Sequence, residues 1–329
     1  MPAAAPNTRT SHKDPPSKHA NPKGDFTFLP RHLGPDENTR KEMLKTLGVK
    51  SLEELVEKAV PEGLLAKQPP KLPPARSEVR ALSDLQKIFS RNHPKRSLIG
   101  LGYHGTLTPH VIRRNMLEDP GWYSAYTPYQ PEISQGRLEA LINFQTMIIE
   151  LTGLEIANAS LLDEGTAAAE AASLAHAAVQ GDSRNTLWLS PGLHPTTRAV
   201  VITRAAALGW KIISQETFPE SESPHLFAAI LAYPESDGLL ADPRPSIQKI
   251  KSAGALSILV ADPLALLLFT PPGKLGADIA VGSTQRFGIP MGFGGPHAAY
   301  LATRLAHQDR KSTRLNSSHE WISRMPSSA

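Results

Sequence analysis

Cysteine is absent from all 329 residues, which excludes disulfides, zinc–thiolate sites and thiol nucleophiles. No apolar run approaches the roughly 18 residues at which a membrane span begins, so no membrane partner is expected. The first 24 residues, MPAAAPNTRTSHKDPPSKHANPKG, lack the apolar core of a secretory signal. They carry the Arg, Ser and Thr of an organellar transit peptide, but their prolines and missing apolar face argue against an amphipathic helix. The segment reads as a disordered leader. Lysine is also absent between Lys95 and Lys211, so no amine nucleophile comes from that third of the chain.

The basic balance, net +4, disappears once it is located. The first 24 residues and the last 20 each carry net +3, which leaves residues 25–309 at −2. A slightly acidic body removes the electrostatic case for nucleic acid as a partner. No set of residues with metal-ligand spacing stands out, and no metal is expected.

After the leader the pattern turns helical. Asp36 caps a helix running toward Gly48, and Ser51 with Glu54 spells a capping box for a second. The run QPPKLPPARSE, residues 68–78, is a stiff extended connector. A third helix follows from Ser77 with Val79, Leu82, Leu85, Ile88 and Phe89 on one face. Residues 25–95 are thus expected to form a helical arm that packs on something larger.

From residue 96 to 304 helices alternate with short apolar strands. Helices are predicted over 108–117, 135–152, 165–179, 195–208 and 246–253, and strands over 186–190, 211–215, 227–232, 256–261, 278–282 and 298–302. This alternation calls for an α/β domain with a mostly parallel sheet covered on both faces, the last strand closing it antiparallel. Ligands in such sheets sit in the crevice at the carboxyl ends of the strands. Residues 305–329, ending RKSTRLNSSHEWISRMPSSA, break the pattern and resemble adapter-derived tails appended to unrelated reading frames. The natural chain is therefore expected to be cut short near Arg304, without a small carboxy-terminal domain, leaving apolar surface exposed and solubility poor.

Several stretches could carry chemistry, each with a plainer alternative. In YSAYTPYQPEISQGRLEALINFQTM, residues 123–147, proline stiffness and phenols make either a loop that holds polar groups over a pocket or a structural aromatic loop. Gly165 and Thr166 open an alanine-rich helix whose free N–H groups suit an anion, although Asp163 and Glu164 beside them would repel a phosphate and serve equally as caps. His194 follows a strand, placed to stack on a planar ring or merely to sit in a polar loop. Asp262 ends another strand, where an acid either reaches a heteroaromatic nitrogen or simply terminates the strand.

Those positions, in that order, resemble the large domain of pyridoxal-phosphate enzymes of fold type I, the aspartate aminotransferase fold. The runs FLPRHLGPDE, GLGYHGTLTPHVIRRN, YTPYQPEISQGRLEALINFQTM, GLEIANASLLDEGTAAAEA and DIAVGSTQRFGIPMGFGGPHAAYLATR resemble, more specifically, the amino-terminal half of the glycine decarboxylase P-protein of the glycine cleavage system, over residues 26–304. The resemblance implies a cofactor, pyridoxal phosphate, held by a lysine of a carboxy-terminal half or separate subunit. That half is the implied partner, with glycine as substrate and lipoylated H-protein as acceptor of the aminomethyl group. It also implies a bacterial cytoplasmic enzyme or one of the mitochondrial matrix.

In the lysine-bearing half the Schiff-base residue stands two positions before a phenylalanine, ahead of a proline and a glycine-rich stretch. Here that spacing falls on Gln285, with Phe287, Pro290 and Gly292 following, and the adjacent Arg286 stays protonated. Lys274, in PPGKLGAD, is the nearest other amine. The expectation is a half that binds no cofactor covalently, in which Gly165, Thr166, His194, Asp262, Gln285 and Arg286 are the degenerate cofactor-site positions. Tyr126, Tyr129, Gln130, Glu132 and His104 would line the pocket of the other half.

Overall fold

The structure, a computed structural model, describes residues 34–65, 68, 70–74, 76–123, 132–179, 184–292 and 297–308. The chain divides into two compact units, residues 1–96 and 97–329.

The first unit is helical. In α1 (Glu37–Thr46) the Asp36 carboxylate accepts from Thr39 N at 2.8 Å, and in α2 (Leu52–Ala59) Ser51 Oγ accepts from Glu54 N at 3.2 Å. The reciprocal arm of the capping box reaches Lys50 N at 2.7 Å rather than Ser51, while the other carboxylate oxygen of Glu54 pairs with Lys58 one turn on. Ser77 caps α3 (Glu78–Phe89), and Arg76, just before the cap, is ion-paired to Asp84 of the helix. No residue of these helices is buried.

The second unit begins with α4 (His110–Leu117) and the single turn α5 (Pro120–Tyr123), and continues through α6 (Gln135–Thr152), which Gly153 ends in the left-handed conformation at φ 65°. Next come β1 (Ile156–Ala157), α7 (Glu164–Ala178), β2 (Thr186–Leu189), α8 (Pro195–Leu208), β3 (Lys211–Ser214) and β4 (Leu226–Tyr233). The chain then forms α9 (Arg244–Ser252), β5 (Leu256–Ala261), the short α10 (Pro272–Leu275), β6 (Ile279–Ser283) and β7 (Ala299–Thr303).

The sheet has the order β1-β7-β6-β5-β4-β2-β3. The strands from β3 to β6 are parallel, and β7 runs antiparallel to β6. The α/β architecture with a mostly parallel sheet is the expected one, with one correction. β7 does not close the sheet, because β1 pairs antiparallel outside it. A two-residue strand has no readable period, and it is fixed instead by Asn158, whose Oδ1 accepts from Leu301 N at 3.0 Å while its own N–H donates to Leu301 O.

Each face of the sheet has its own core. On one side α7 lies against β4 to β7, contributing Ala167, Ala168, Ala171, Ala172 and Ala175, all fully buried, against Leu187, Leu189, Ile230, Ile258, Ile279 and Val281. On the other, Ile247 and Ile250 of α9 meet Trp188, Leu226, Ala229, Leu231 and Leu259. The alternation Leu187–Trp188–Leu189 across the two cores is the period of a strand buried on both faces. Alanine along α7 has a spatial cause: where the helix is covered by both sheet and α8, small side chains let it settle close to them.

At the amino ends of β5 and β6, Asp278 Oδ2 accepts from Ser257 N at 2.9 Å and Ser257 Oγ at 2.7 Å, fixing the register from which the opposite, carboxyl ends project. Ala171→Leu should overfill the packed interface of α7 and lower stability by about 1–3 kcal/mol in urea unfolding; a variant as stable as the parent would show that the helix is not close-packed.

Candidate functional site

The carboxyl ends of β2, β4, β5 and β6 open on a cleft in two connected parts, of about 370 and 290 Å³, that share Leu101, Gly102, Glu164, His194 and Ser283. Gly165, Thr197, Val200, Tyr103 and His297 line the first part; His104, Glu235, Ser236, Asp262 and Arg286 line the second. Strand ends and the start of α7 converge here for the reason the fold gives: in a parallel sheet every strand exits on the same side.

Of the residues singled out from sequence, Gly165, His194, Asp262, Arg286 and His104 meet in this cleft. Gln285 lies behind its wall, 1% exposed. Thr166 contributes its backbone N–H, which donates to Asp163 Oδ1 at 2.6 Å, and Glu132 is exposed and lines neither part. Tyr126, Tyr129 and Gln130 lie outside the described residues. Lys274 is exposed in α10, which leads into the amino end of β6 and so sits across the sheet from the cleft. No lysine lines either part.

Gln285 reads as a clasp. Its Nε2 donates to His104 O at 2.8 Å and to Ile289 O at 2.7 Å, and its Oε1 accepts from His104 N at 3.3 Å. The carboxamide matches the paired donor and acceptor of a backbone residue, which an amine, with donors only, cannot do. Two hydroxyls extend the seam: Thr106 Oγ1 donates to Ile289 O at 2.7 Å and Thr108 Oγ1 to Gly288 O. Residues 100–108 are thereby strapped along the loop after β6.

The positions expected to touch a flat, phosphorylated ring are otherwise engaged. A methyl group added at Gly102 would come within 3.0 Å of His194 Cδ2, so the strap already covers that imidazole, whose Nδ1 is 3.1 Å from Ser236 Oγ. Gly165 is needed because Val200 Cγ2 of α8 would stand 3.0 Å from an added Cβ; its smallness serves helix packing. The start of α7 holds its own anions, with Asp163 capping it and Glu164 accepting from Thr197 Oγ1 at 2.8 Å. Asp262 Oδ1 stands 3.4 Å from Arg286 Nε. Pyridoxal phosphate therefore does not fit the residues present: no lysine lines the cleft, the helix start expected to receive a phosphate carries Asp163 and Glu164, and the acid expected at the ring is ion-paired to Arg286.

Electrostatics follow burial. Desolvation, aided by the Arg286 charge, holds His104 below the ordinary imidazole range, so its ring is neutral near pH 7. Burial raises Glu235, with Asp237 and Glu216 adding to the shift. Sequence reasoning missed His297 and Tyr103, whose rings meet edge-on with centroids 4.8 Å apart while His297 Nδ1 lies 3.3 Å from Ser283 Oγ. The only signal was the position of His297 directly after the glycine-rich loop.

Against known proteins, the profile of the family described as "Glycine cleavage system P-protein" matches residues 30–316. The chain belongs to the glycine cleavage system P-protein family. It is 58% identical over 280 residues to the glycine dehydrogenase (decarboxylating) of Nostoc punctiforme, covering 84% of this chain and 28% of that protein. Against the Synechocystis protein of the same name it is 53% identical over 289 residues, covering 88% and 29%. A crystal structure of glycine decarboxylase, the P-protein, in inhibitor-bound form superposes with a TM-score of 0.75 at 38% identity, over 84% of this chain and 63% of that one. The fold is accordingly that of pyridoxal-phosphate enzymes of fold type I, and the P-protein family depends on that cofactor. The chain spans less than a third of the length of these curated P-protein relatives.

Gln285→Ala should strand the part-buried N–H and C=O of His104. Stability is expected to fall by about 2–3 kcal/mol, and the His104 amide should lose its protection from hydrogen exchange. Unchanged protection would show that the clasp does not hold the strap.

Proposed function

We propose that this chain is the lysine-less amino-terminal part of a glycine decarboxylase. In the complete P-protein it works beside a carboxy-terminal half that binds pyridoxal phosphate through a lysine. The cofactor supplies the electron sink that lets glycine lose its carboxylate as CO₂, and the aminomethyl group passes to the lipoyl arm of the H-protein. The observation that carries the reading is Gln285: at the position where the sister half has its amine, this P-protein chain has a fully hydrogen-bonded carboxamide.

The part assigned to this chain is to shape the neighbouring pocket. Tyr126, Tyr129, Gln130 and Glu132, with His104, line the site of the other half, where phenols donate hydrogen bonds and a closed wall excludes water from the electron-rich carbon. Exposed apolar side chains around the cleft mouth support a face made to be covered: Leu107, Leu264 and Phe287 surround the hollow beside His104 and Arg286, and Leu268 is 83% exposed nearby in sequence. Among the described residues no helix is long and apolar enough to cross a membrane, and the relatives named are bacterial, which supports a place in the bacterial cytoplasm.

Mixing this chain with a lysine-bearing half and lipoylated H-protein tests the reading through exchange of the glycine carboxyl carbon with bicarbonate. Exchange is expected in the mixture and in neither component alone. No exchange together with no co-elution would instead identify the chain as an inert fragment.

A further inference from the structure

One wall of the cleft carries a charged cluster made by the chain itself. Arg286 follows Gln285 in the turn after β6 (residues 285–287), which aims its guanidinium back across the strand ends. Nε lies 3.4 Å from Asp262 Oδ1, and Nη1 lies 2.9 Å from Nδ1 and 3.0 Å from Nε2 of His104. Three quarters of both the Arg286 and the Asp262 side chain are shielded from solvent, so neither charge is fully hydrated and each needs the other.

Asp262 stands at the carboxyl end of β5, where the fold would place an acid against the nitrogen of a heterocyclic ligand. A protonated ring nitrogen beside a carboxylate is a flat cation with an N–H donor. A guanidinium is also flat and permanently charged, so it pairs with the same carboxylate from within the chain, as an ion pair in which the buried Nε makes no hydrogen bond.

The other partner of Arg286 is the strap, and the strap is strained. Gly100, Leu101 and Gly102 run consecutively in the left-handed region, at φ 65°, 55° and 87°. For Leu101 this costs on the order of 1 kcal/mol, so the conformation persists only because contacts elsewhere impose it. Those contacts are the Gln285 clasp on His104, the threonine seam, the covering of His194 by Gly102, and the grip of Arg286 on the His104 ring. Arg286 adds a tie from the strap to Asp262 at the end of β5, the strand beside β6.

We propose that Arg286 is a built-in cation that occupies the seat at Asp262 and, through His104, locks residues 100–108 over the cleft, so that the degenerate cofactor site is closed by its own side chain. The lock is a property of this chain alone, and its failure would touch the proposed decarboxylase role only in the part assigned to His104.

The test compares the full chain with Arg286→Ala. Of the charged and titratable groups facing His104, Arg286, His194 and His297 lower its pKa and Asp262 raises it, so deleting the guanidinium should raise it, read from the ring signals in an NMR titration. Amides of residues 100–108 should exchange at least about tenfold faster. Methylguanidinium at about 10 mM should bind the vacated seat and reverse both changes, whereas equal sodium chloride should not. If Arg286→Ala does not fold, Arg286→Lys is the second variant: its ammonium keeps the charge but cannot span both partners, so His104 should titrate close to the parent while exchange in the strap still rises. Unchanged exchange in either variant, an unchanged or lower His104 pKa in Arg286→Ala, or no response to methylguanidinium would overturn the proposal.

Discussion

One side-chain amide organises the cleft. Gln285 offers two N–H donors and a carbonyl acceptor at the end of β6, and the backbone of His104 and Ile289 takes all three. Because the Gln285 side chain is 1% exposed, its own donors and acceptor could not otherwise recover the hydration that these bonds replace. The strap, the covering of His194 and the reach of Arg286 to His104 all depend on the position this clasp enforces. A lysine there would leave the His104 N–H without an acceptor and put a charge into the same volume.

The larger frame makes the clasp possible. Alanines of α7 let the helix settle on the sheet, and Gly165 lets α8 approach its first turn, which brings Glu164 and Thr197 within 2.8 Å at the cleft edge. Gly282 has a similar role in β6: an added Cβ would fall 2.1 Å from Ala261 O, the carbonyl to which the buried Tyr300 hydroxyl donates at 2.7 Å. The strand ends are therefore fixed by tight packing, and the polar groups on them inherit that precision. The same chain thus keeps the architecture of a fold type I pyridoxal-phosphate enzyme while its cleft chemistry runs against the cofactor.

Much of the architecture was legible because the elements carry strong periods and caps. The strand at 256–261 coincides with β5, the helices at 135–152 and 195–208 coincide with α6 and α8, and Asp36, Ser51 and Ser77 act as the caps their positions suggest. The two-residue β1 was invisible because nothing in Ile156–Ala157 distinguishes a strand, and its pairing is decided by β7, some 140 residues later. The cleft was half legible. Strand and helix ends located Gly165, His194 and Asp262, and the resemblance to the family pointed to Gln285 and Arg286, but neither told what each one touches. That Gly165 answers to Val200, or that His104 shares a pocket with Asp262, is set by contacts between distant segments that no local pattern encodes. His297 and Tyr103 were passed over for the same reason, each unremarkable until the other ring is beside it.

The central claim is that chain-internal bonds close this cleft to the coenzyme, beyond the mere lack of an amine. Restoring the amine alone tests it most directly: Gln285→Lys is incubated with pyridoxal phosphate, reduced with borohydride, and the adduct is mapped by peptide analysis. The expected result is no stoichiometric adduct at position 285, because Arg286, Asp163 and Glu164 still hold the ring and phosphate seats. A stoichiometric adduct there, with the visible absorbance of a bound coenzyme, would contradict it.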